Sequence, residues 1–304
     1  MLGVLTLLDL MKRANAAGAD LVEEALVNAP ELTIFPAKTI AGVAMQLLVR
    51  KGLPDVRFQN LNEGVPASKS EYETRTFQAA ILDHFIQVDK RGFDGMSAEQ
   101  IGRELGDHTV GVLEAAFAHV GSQFYYGTGN DAKGFPGVIA QMNADARHVI
   151  DVGGKTSVTS AWVFASGPAK VEFILGNNQT IVLPDEEGWK ETEGVDAEGN
   201  RYPALAAWMT GRVGMRLANR GAAIRIKNIG TEAGKRFGAD YLAQALTNMR
   251  DNRLTPTHIV MNGRTLLQWR DSRKTDQNPE PEIPKEYEGV PVVQSASIAN
   301  GEAI

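Results

Sequence analysis

Ser97-Ala98-Glu99-Gln100 opens the stretch that most limits what this chain can fold into. Ser followed three residues later by Gln is a capping box, in which the two side chains satisfy amide donors that the first helical turn leaves unpaired. Ile101, Leu105, Val112, Ala116, Val120 and Phe124 then recur on a helical period until Gly127. The pattern predicts a helix of about 29 residues, roughly 43 Å long at 1.5 Å per residue. That is long for a globular domain. Gly102, Gly106, Gly111 and Gly121 lie inside it, each costing about 1 kcal/mol relative to Ala. Close approach by a neighbouring backbone, or a bend, is the expected compensation.

Upstream, Leu5, Leu8, Ala14, Leu21, Ala25 and Leu26 stand near helical spacing and stop at Pro30, so residues 4–28 are expected to form an amphipathic helix. Pro30, Pro36, Pro54 and Pro66 punctuate residues 29–66, which read as an arm lying on another surface. Residues 56–62 and 71–88 are extended in character around Glu63-Gly64-Val65-Pro66-Ala67-Ser68, predicting a long hairpin. Glu71, Glu73 and Arg75 share one face and Tyr72, Thr74 and Thr76 the other. A lone hairpin is marginal in water, so this one is expected to dock against another surface, with another subunit as a candidate.

Downstream, strands are expected at 147–152, 158–165, 169–175 and 180–183, followed by a polar acidic loop at 184–201. A long extended stretch spans 204–229. Helices at 237–249 and 263–270 and strands at 257–261 and 291–295 complete an α+β pattern. There is no internal repeat.

Catalytic and cofactor motifs fail on spacing. Gly127-Thr128-Gly129-Asn130-Asp131-Ala132 fits a dinucleotide fingerprint formally, yet a helix precedes it where a strand is needed. It reads instead as a helix C-terminus. Gly153-Gly154-Lys155-Thr156 lacks the glycine a phosphate loop needs at position 149, where Val149 stands. His84, His108, His119, His148 and His258 contain no metal-binding pair, and the chain has no cysteine, so no catalytic, cofactor or metal residue is assigned. Trp162, Trp189, Trp208 and Trp269 are expected in core or interface packing. Arg212, Arg216 and Arg220 share strand parity and, with Arg225, make either a face pairing with carboxylates or a stripe for phosphate.

Of 304 residues, 43% are hydrophobic and 22% charged, enough for a sizeable core. The net charge of −6 disfavours reading DNA as the main task. Met1-Leu2-Gly3-Val4 lacks the basic start of a signal peptide, and no apolar run reaches the roughly 18–20 residues of a membrane span. Synthesis in the cytoplasm, no membrane contact and no large propeptide are the expectations.

The order of arm, projecting hairpin, long helix and strand-rich body resembles the major capsid proteins of tailed bacteriophages, with the Hong Kong 97-like fold. The phrases that carry the resemblance are Gly52-Leu53-Pro54 with Phe58, Leu61-Asn62-Glu63-Gly64-Val65, Ser68-Lys69-Ser70, Val88-Asp89, Phe124-Tyr125-Tyr126-Gly127 and Phe135-Pro136-Gly137-Val138, then Ala161-Trp162-Val163 and Gly214 to Ile229. The resemblance implies an N-terminal arm at 1–52, an extended hairpin loop at 53–95 and a spine helix at 96–126. Peripheral-domain strands would follow at 127–232 and an axial domain at 233–304. The strand segment 204–229 precedes the helix 237–249, which suggests a permuted connectivity.

The implied function is a self-assembling, non-enzymatic shell subunit, grouped in hexamers and pentamers of an icosahedral head around double-stranded DNA. Arg57, Phe58, Asn62, Glu63, Lys69, Tyr72 and Arg75 are the expected contacts between subunits. Lys69 lies near the hairpin tip, but nothing identifies a partner for the covalent cross-link of the family's type member. Implied partners are identical subunits, a portal, a scaffold, a cement or decoration protein and non-specific contact with packaged DNA. The implied location is the virion, assembled in the host cytoplasm. A nanocompartment shell of the encapsulin kind and a soluble α/β enzyme are the alternatives.

Overall fold

The computed structural model describes residues 5–14, 29–52, 54–183, 188–275 and 281–302. Helix α1 is Leu7–Ala14; Leu5 and Thr6 of the expected 4–28 helix are not helical, because Thr6 bridges to Pro36, and the rest of it lies outside the described residues. A single turn, α2 (Glu31–Ile34), precedes strands β1 (Ala37–Thr39) and β2 (Ala44–Gly52). Strands β3 (Glu71–Gln78) and β4 (Ala80–Asp89) follow, separated only by Ala79.

The hairpin differs from expectation. β3 pairs antiparallel with β2, from Ala44 opposite Gln78 to Gly52 opposite Glu71, and not with residues 56–62. The reason lies in the proline spacing. No proline stands between Pro36 and Pro54, so a nine-residue strand fits there, whereas Pro54 and Pro66 bracket a segment with no ladder. The projecting element thus starts inside the segment assigned to the arm.

The long helix α3 is Ala98–Tyr126, 29 residues, and Ser97 and Gln100 form the expected capping box. It ends at Gly127, whose φ of 55° favours a residue without a Cβ. Only Gly121 among its four glycines has a close neighbour, and it is a side chain rather than the expected backbone: a Cβ there would meet Ser297 Oγ at 2.2 Å, while Gly102, Gly106 and Gly111 face open space. The single-turn helix α4 (Val138–Gln141) leads into β5 (Val149–Asp151), β6 (Thr159–Phe164) and β7 (Val171–Leu175). Residues 180–183 form no strand but a single bridge between Val182 and Thr210. Within the expected loop at 184–201, Lys190–Val195 is a strand, β8, folded back on β9 (Arg201–Leu217). A short turn at 220–222 opens β10 (Ala223–Ile229). Helix α5 (Ala239–Asp251), β11 (His258–Met261), helix α6 (Gly263–Ser272), β12 (Glu286–Tyr287) and β13 (Val290–Gln294) complete the chain.

Two sheets result. One runs β1-β7-β9-β4, with β8 also on β9; the other runs β12-β13-β11-β6-β10-β5. The second draws three strands from each side of residue 232, so a domain boundary there does not follow the sheets. All six residues of the central strand β6 are buried, because α5 and α6 cover it on one side and the aromatic core on the other. Phe35, Phe124, Phe164 and Phe173 from four separate elements meet there, with Phe35 and Phe124 stacked at 4.7 Å. A satellite cluster of Ile40, Phe77 and Ile174, flanked by Met45 and Leu47, sits apart beneath the hairpin.

Two buried carboxylates converge on the last turn of α3. Tyr125 Oη donates to Glu31 Oε1 at 2.7 Å, and Ser295 donates to the same oxygen. Tyr126 Oη donates to Glu302 Oε1 at 2.7 Å, while Arg225 and Ser160 donate to its Oε2. Burial pushes the Glu31 carboxyl above the usual range against the pull of its Ser295 and Tyr125 hydrogen bonds.

Candidate functional site

The hairpin tip, residues 54–70, presents apolar side chains to solvent: Phe58 is fully exposed, and Val56, Leu61 and Val65 nearly so. Its shape is set locally. Asn60 N donates to Glu63 Oε2 at 3.1 Å, Asn62 adopts a φ of 68°, and Ser68 Oγ donates to the Asp55 carbonyl at 2.8 Å. Arg57 pairs with Asp55 at 3.4 Å on the surface, where such a pair contributes little. Of the expected contact residues, Arg57, Phe58, Asn62, Glu63 and Lys69 are therefore gathered on this tip, exposed. Tyr72 stands half-exposed on β3.

Arg75 does not project. Its Nη1 donates to the Leu217 carbonyl and its Nη2 to the Gln141 carbonyl, both at 3.2 Å, and its guanidinium lies 5.4 Å from the centre of the Phe77 ring. Burial, and secondarily the charge of Arg220, pull its pKa down. Arg220 reaches Glu73 at 3.4 Å. The buried Arg216 pairs with Glu172, and its Nη1 contacts Met45 Sδ of β2 at 3.5 Å. Arg225 pairs with Glu302 at 2.7 Å. Three of the four arginines thus bind carboxylates, which replaces the phosphate stripe; Arg220 lies on the turn after β9, off the strand.

A second apolar surface lies on the β4–β9 ladder, past the break at Ala79. β4 pairs with β9 from Ala80 opposite Val213 to Asp89 opposite Ala204, which sets Phe85 across from Trp208. Their rings stand 4.7 Å apart, and Trp208 is 60% exposed. Ile81 shares that face by strand parity and is 64% exposed. Thr210 donates to Asp83 between them. Trp162 and Trp269 are buried as expected, so only Trp208 of these three is left for an interface. Phe85 lies 15 residues along the chain beyond the end of the tip at Ser70, a path of at most roughly 50 Å at 3.3 Å per residue, interrupted at Ala79.

No group of metal-ligating side chains occurs among the described residues, and no described helix is long and apolar enough to cross a membrane.

No curated protein matches the chain in sequence. Among solved structures, it is similar to the near-atomic structure of bacteriophage Epsilon15, with a TM-score of 0.57 at 15% identity, covering 88% of this chain and 87% of that one. The procapsid of bacteriophage JBD30 matches with a TM-score of 0.50 at 11% identity over 95% and 98% of the two chains. Mycobacterium phage Bobi matches at 0.50 and 13% identity over 68% and 91%. These likenesses establish the Hong Kong 97-like fold. The family profile of major capsid protein GP7 matches residues 37–303, nearly the whole chain, and the chain therefore belongs to the major capsid protein GP7 family.

Proposed function

We propose that this capsid protein is the repeating unit of an icosahedral head, grouped in hexamers and pentamers around packaged double-stranded DNA. The observation that carries the reading is the pair of exposed apolar surfaces, one on the hairpin tip and one on the β4–β9 ladder. The intervening strands keep the tip from folding back onto its own Phe85–Trp208 face. Burial of both requires a second copy, and a contact between two different patches is head-to-tail, the kind that closes into rings. Phe58, Leu61, Val56 and Val65 of one subunit then lie on Phe85, Trp208 and Ile81 of the next, with Arg57, Asn62, Glu63, Lys69 and Tyr72 as the polar rim. Each such contact is modest, and repetition around a closed shell multiplies it. A net charge of −6 suits a wall that confines DNA without gripping it.

Assembly in the host cytoplasm and dependence on a portal, a scaffold or a cement protein belong to the same reading. The test is electron microscopy of the purified full-length chain beside a variant in which residues 56–67 are replaced by a short Gly-Ser linker. The expected result is hollow shells from the first and folded, shell-free subunits from the second. Normal shells from the variant would overturn the assignment of the tip. Particles isolated from cells and filled with an enzyme rather than a genome would favour a nanocompartment.

A further inference from the structure

We infer that Arg75 is a positioning residue: it latches the root of the projecting hairpin to the body and so fixes the angle at which a subunit reaches its neighbour. The second half of this inference rests on the shell reading above; the first does not.

Three observations support it. First, the hairpin stands on a core of its own. Phe77 of β3 packs with Ile40 and Ile174, and Met45 and Leu47 of β2 flank them, in a cluster separate from the main core. An element resting on so small a cluster opens at lower free energy than the body does. Second, the strand is interrupted at its root. β3 gives way to β4 at Ala79, and the partner changes from β2 to β9 at that point. The ladder that stiffens the hairpin does not continue into the ladder that stiffens the body.

Third, Arg75 bridges the interruption from the hairpin side. Its two terminal nitrogens bind the carbonyls that end two different elements, Leu217 of β9 and Gln141 of α4. These acceptors are themselves held: Leu217 N donates to Gln141 Oε1 at 2.9 Å, and Gln141 Nε2 donates to the carbonyls of Pro136 at 2.7 Å and Met215 at 3.3 Å. The anchor is therefore rigid before the hairpin engages it. A planar fork can address two fixed carbonyls at once, whereas an ammonium is a point charge on a flexible stem. Arg220 with Glu73 and Arg216 with Met45 add contacts at the same root, but the Arg220–Glu73 pair is half-exposed and weak, and a sulfur is a poor acceptor.

The test uses spin labels, which the absence of native cysteine makes selective. Gly64→Cys reports the tip, where nothing lies within 4 Å, and Gln244→Cys reports the exposed side of α5. Electron–electron distances are measured in the unassembled full-length chain carrying Arg75, Arg75→Ala or Arg75→Lys, with thermal melting as the control for the main core. The expected result is one narrow distance peak for Arg75 and its loss in both variants, with the core melting unmoved. Lys is expected to fail as Ala does, because charge without the fork does not bridge the two carbonyls. If Arg75→Ala does not fold, Arg75→Lys decides alone. A narrow peak retained in Arg75→Lys or in a folded Arg75→Ala would overturn the latch. Shells of mixed diameter from the variants would support the link to the reach of the subunit, and uniform shells of the native diameter despite a lost peak would overturn that link. Were the native chain to form no shells at all, the shell reading would fail while the distance comparison still judged the latch.

Discussion

Substituting the glycines of α3 one at a time separates two reasons for their presence. In a helix interior, Gly→Ala gains up to about 1 kcal/mol when the new methyl meets nothing. Gly106 and Gly111 satisfy that condition. Gly121 does not: its Cβ would stand 2.2 Å from Ser297 Oγ, 3.1 Å from Ser297 Cβ and 3.4 Å from Glu31 Oε2. Rotating the serine moves its hydroxyl but not its Cβ, so the segment anchored by the buried Ser295, Ser297 and Ile298 itself has to shift. Overpacking of this kind costs about 1–3 kcal/mol, which against a propensity gain of about 1 kcal/mol leaves Gly121→Ala neutral to about 2 kcal/mol destabilising. Urea denaturation of the unassembled subunit reads the difference as midpoints at constant slope. Gly106→Ala and Gly111→Ala are expected to raise the midpoint and Gly121→Ala to lower it or leave it unmoved. Ser297→Gly, poor alone, is expected to be less harmful in the Gly121→Ala background, a coupling a double-mutant cycle measures. Equal gains at all three positions, or no coupling with Ser297, would refute the reasoning. Gly106→Ala has a second use: a stabilised subunit that no longer assembles would show that a neighbouring copy approaches the open glycines.

Other perturbations follow from the buried carboxylates and the exposed aromatics. Because burial raises the Glu31 pKa, the native state holds its proton at pH values where the unfolded chain has lost it. This contribution is fully present below the unfolded value of about 4.3 and is lost as pH rises through the folded one. Glu31→Gln is expected to keep the acceptor for Tyr125 and Ser295, offer an amide toward Ser297 Oγ, raise stability at neutral pH and flatten its pH dependence; melting from pH 4 to pH 8 checks this. Glu302→Ala leaves Arg225, whose side chain is 14% exposed, without its carboxylate, and is expected to destabilise by roughly 3–5 kcal/mol in urea. Trp208→Ser, at 60% exposure, is expected to leave the subunit melt within about 0.5 kcal/mol and to abolish or slow shell formation followed by light scattering.

The sequence announces α3 almost residue by residue, since Ser97, Gln100 and Gly127 carry local signals that no tertiary contact has to supply. The hairpin is half legible. Its period-two pattern at 71–78 is local, but its partner is chosen by burial: Met45 opposite Phe77 feeds the satellite cluster, whereas Phe58 and Leu61 have nothing to pair with. The role of Arg75 is illegible because its acceptors lie 142 and 66 residues away. Trp162 and Trp208 occupy similarly apolar strands, and what buries the first is tertiary: Tyr125 from the end of α3 packs on its ring at 5.6 Å, while Trp208 meets only Phe85 of the neighbouring strand among the aromatic rings of the described residues. The exposed tip residues were accessible to reasoning because prolines and glycine bound them, which is a statement about the chain alone.

One consequence of β9 concerns mechanics. Along its 17 residues it is bonded in turn to β8, β4 and β7, and the ladder with β4, the strand into which the hairpin runs, pairs every residue from Ala80 to Asp89 with bonds lying across the strand direction. Tension transmitted from a neighbour through that projection loads these hydrogen bonds in shear, all at once, rather than peeling them from one end. A wall stitched from such ribbons resists stretching in its own plane most strongly along the lines where its subunits grasp one another.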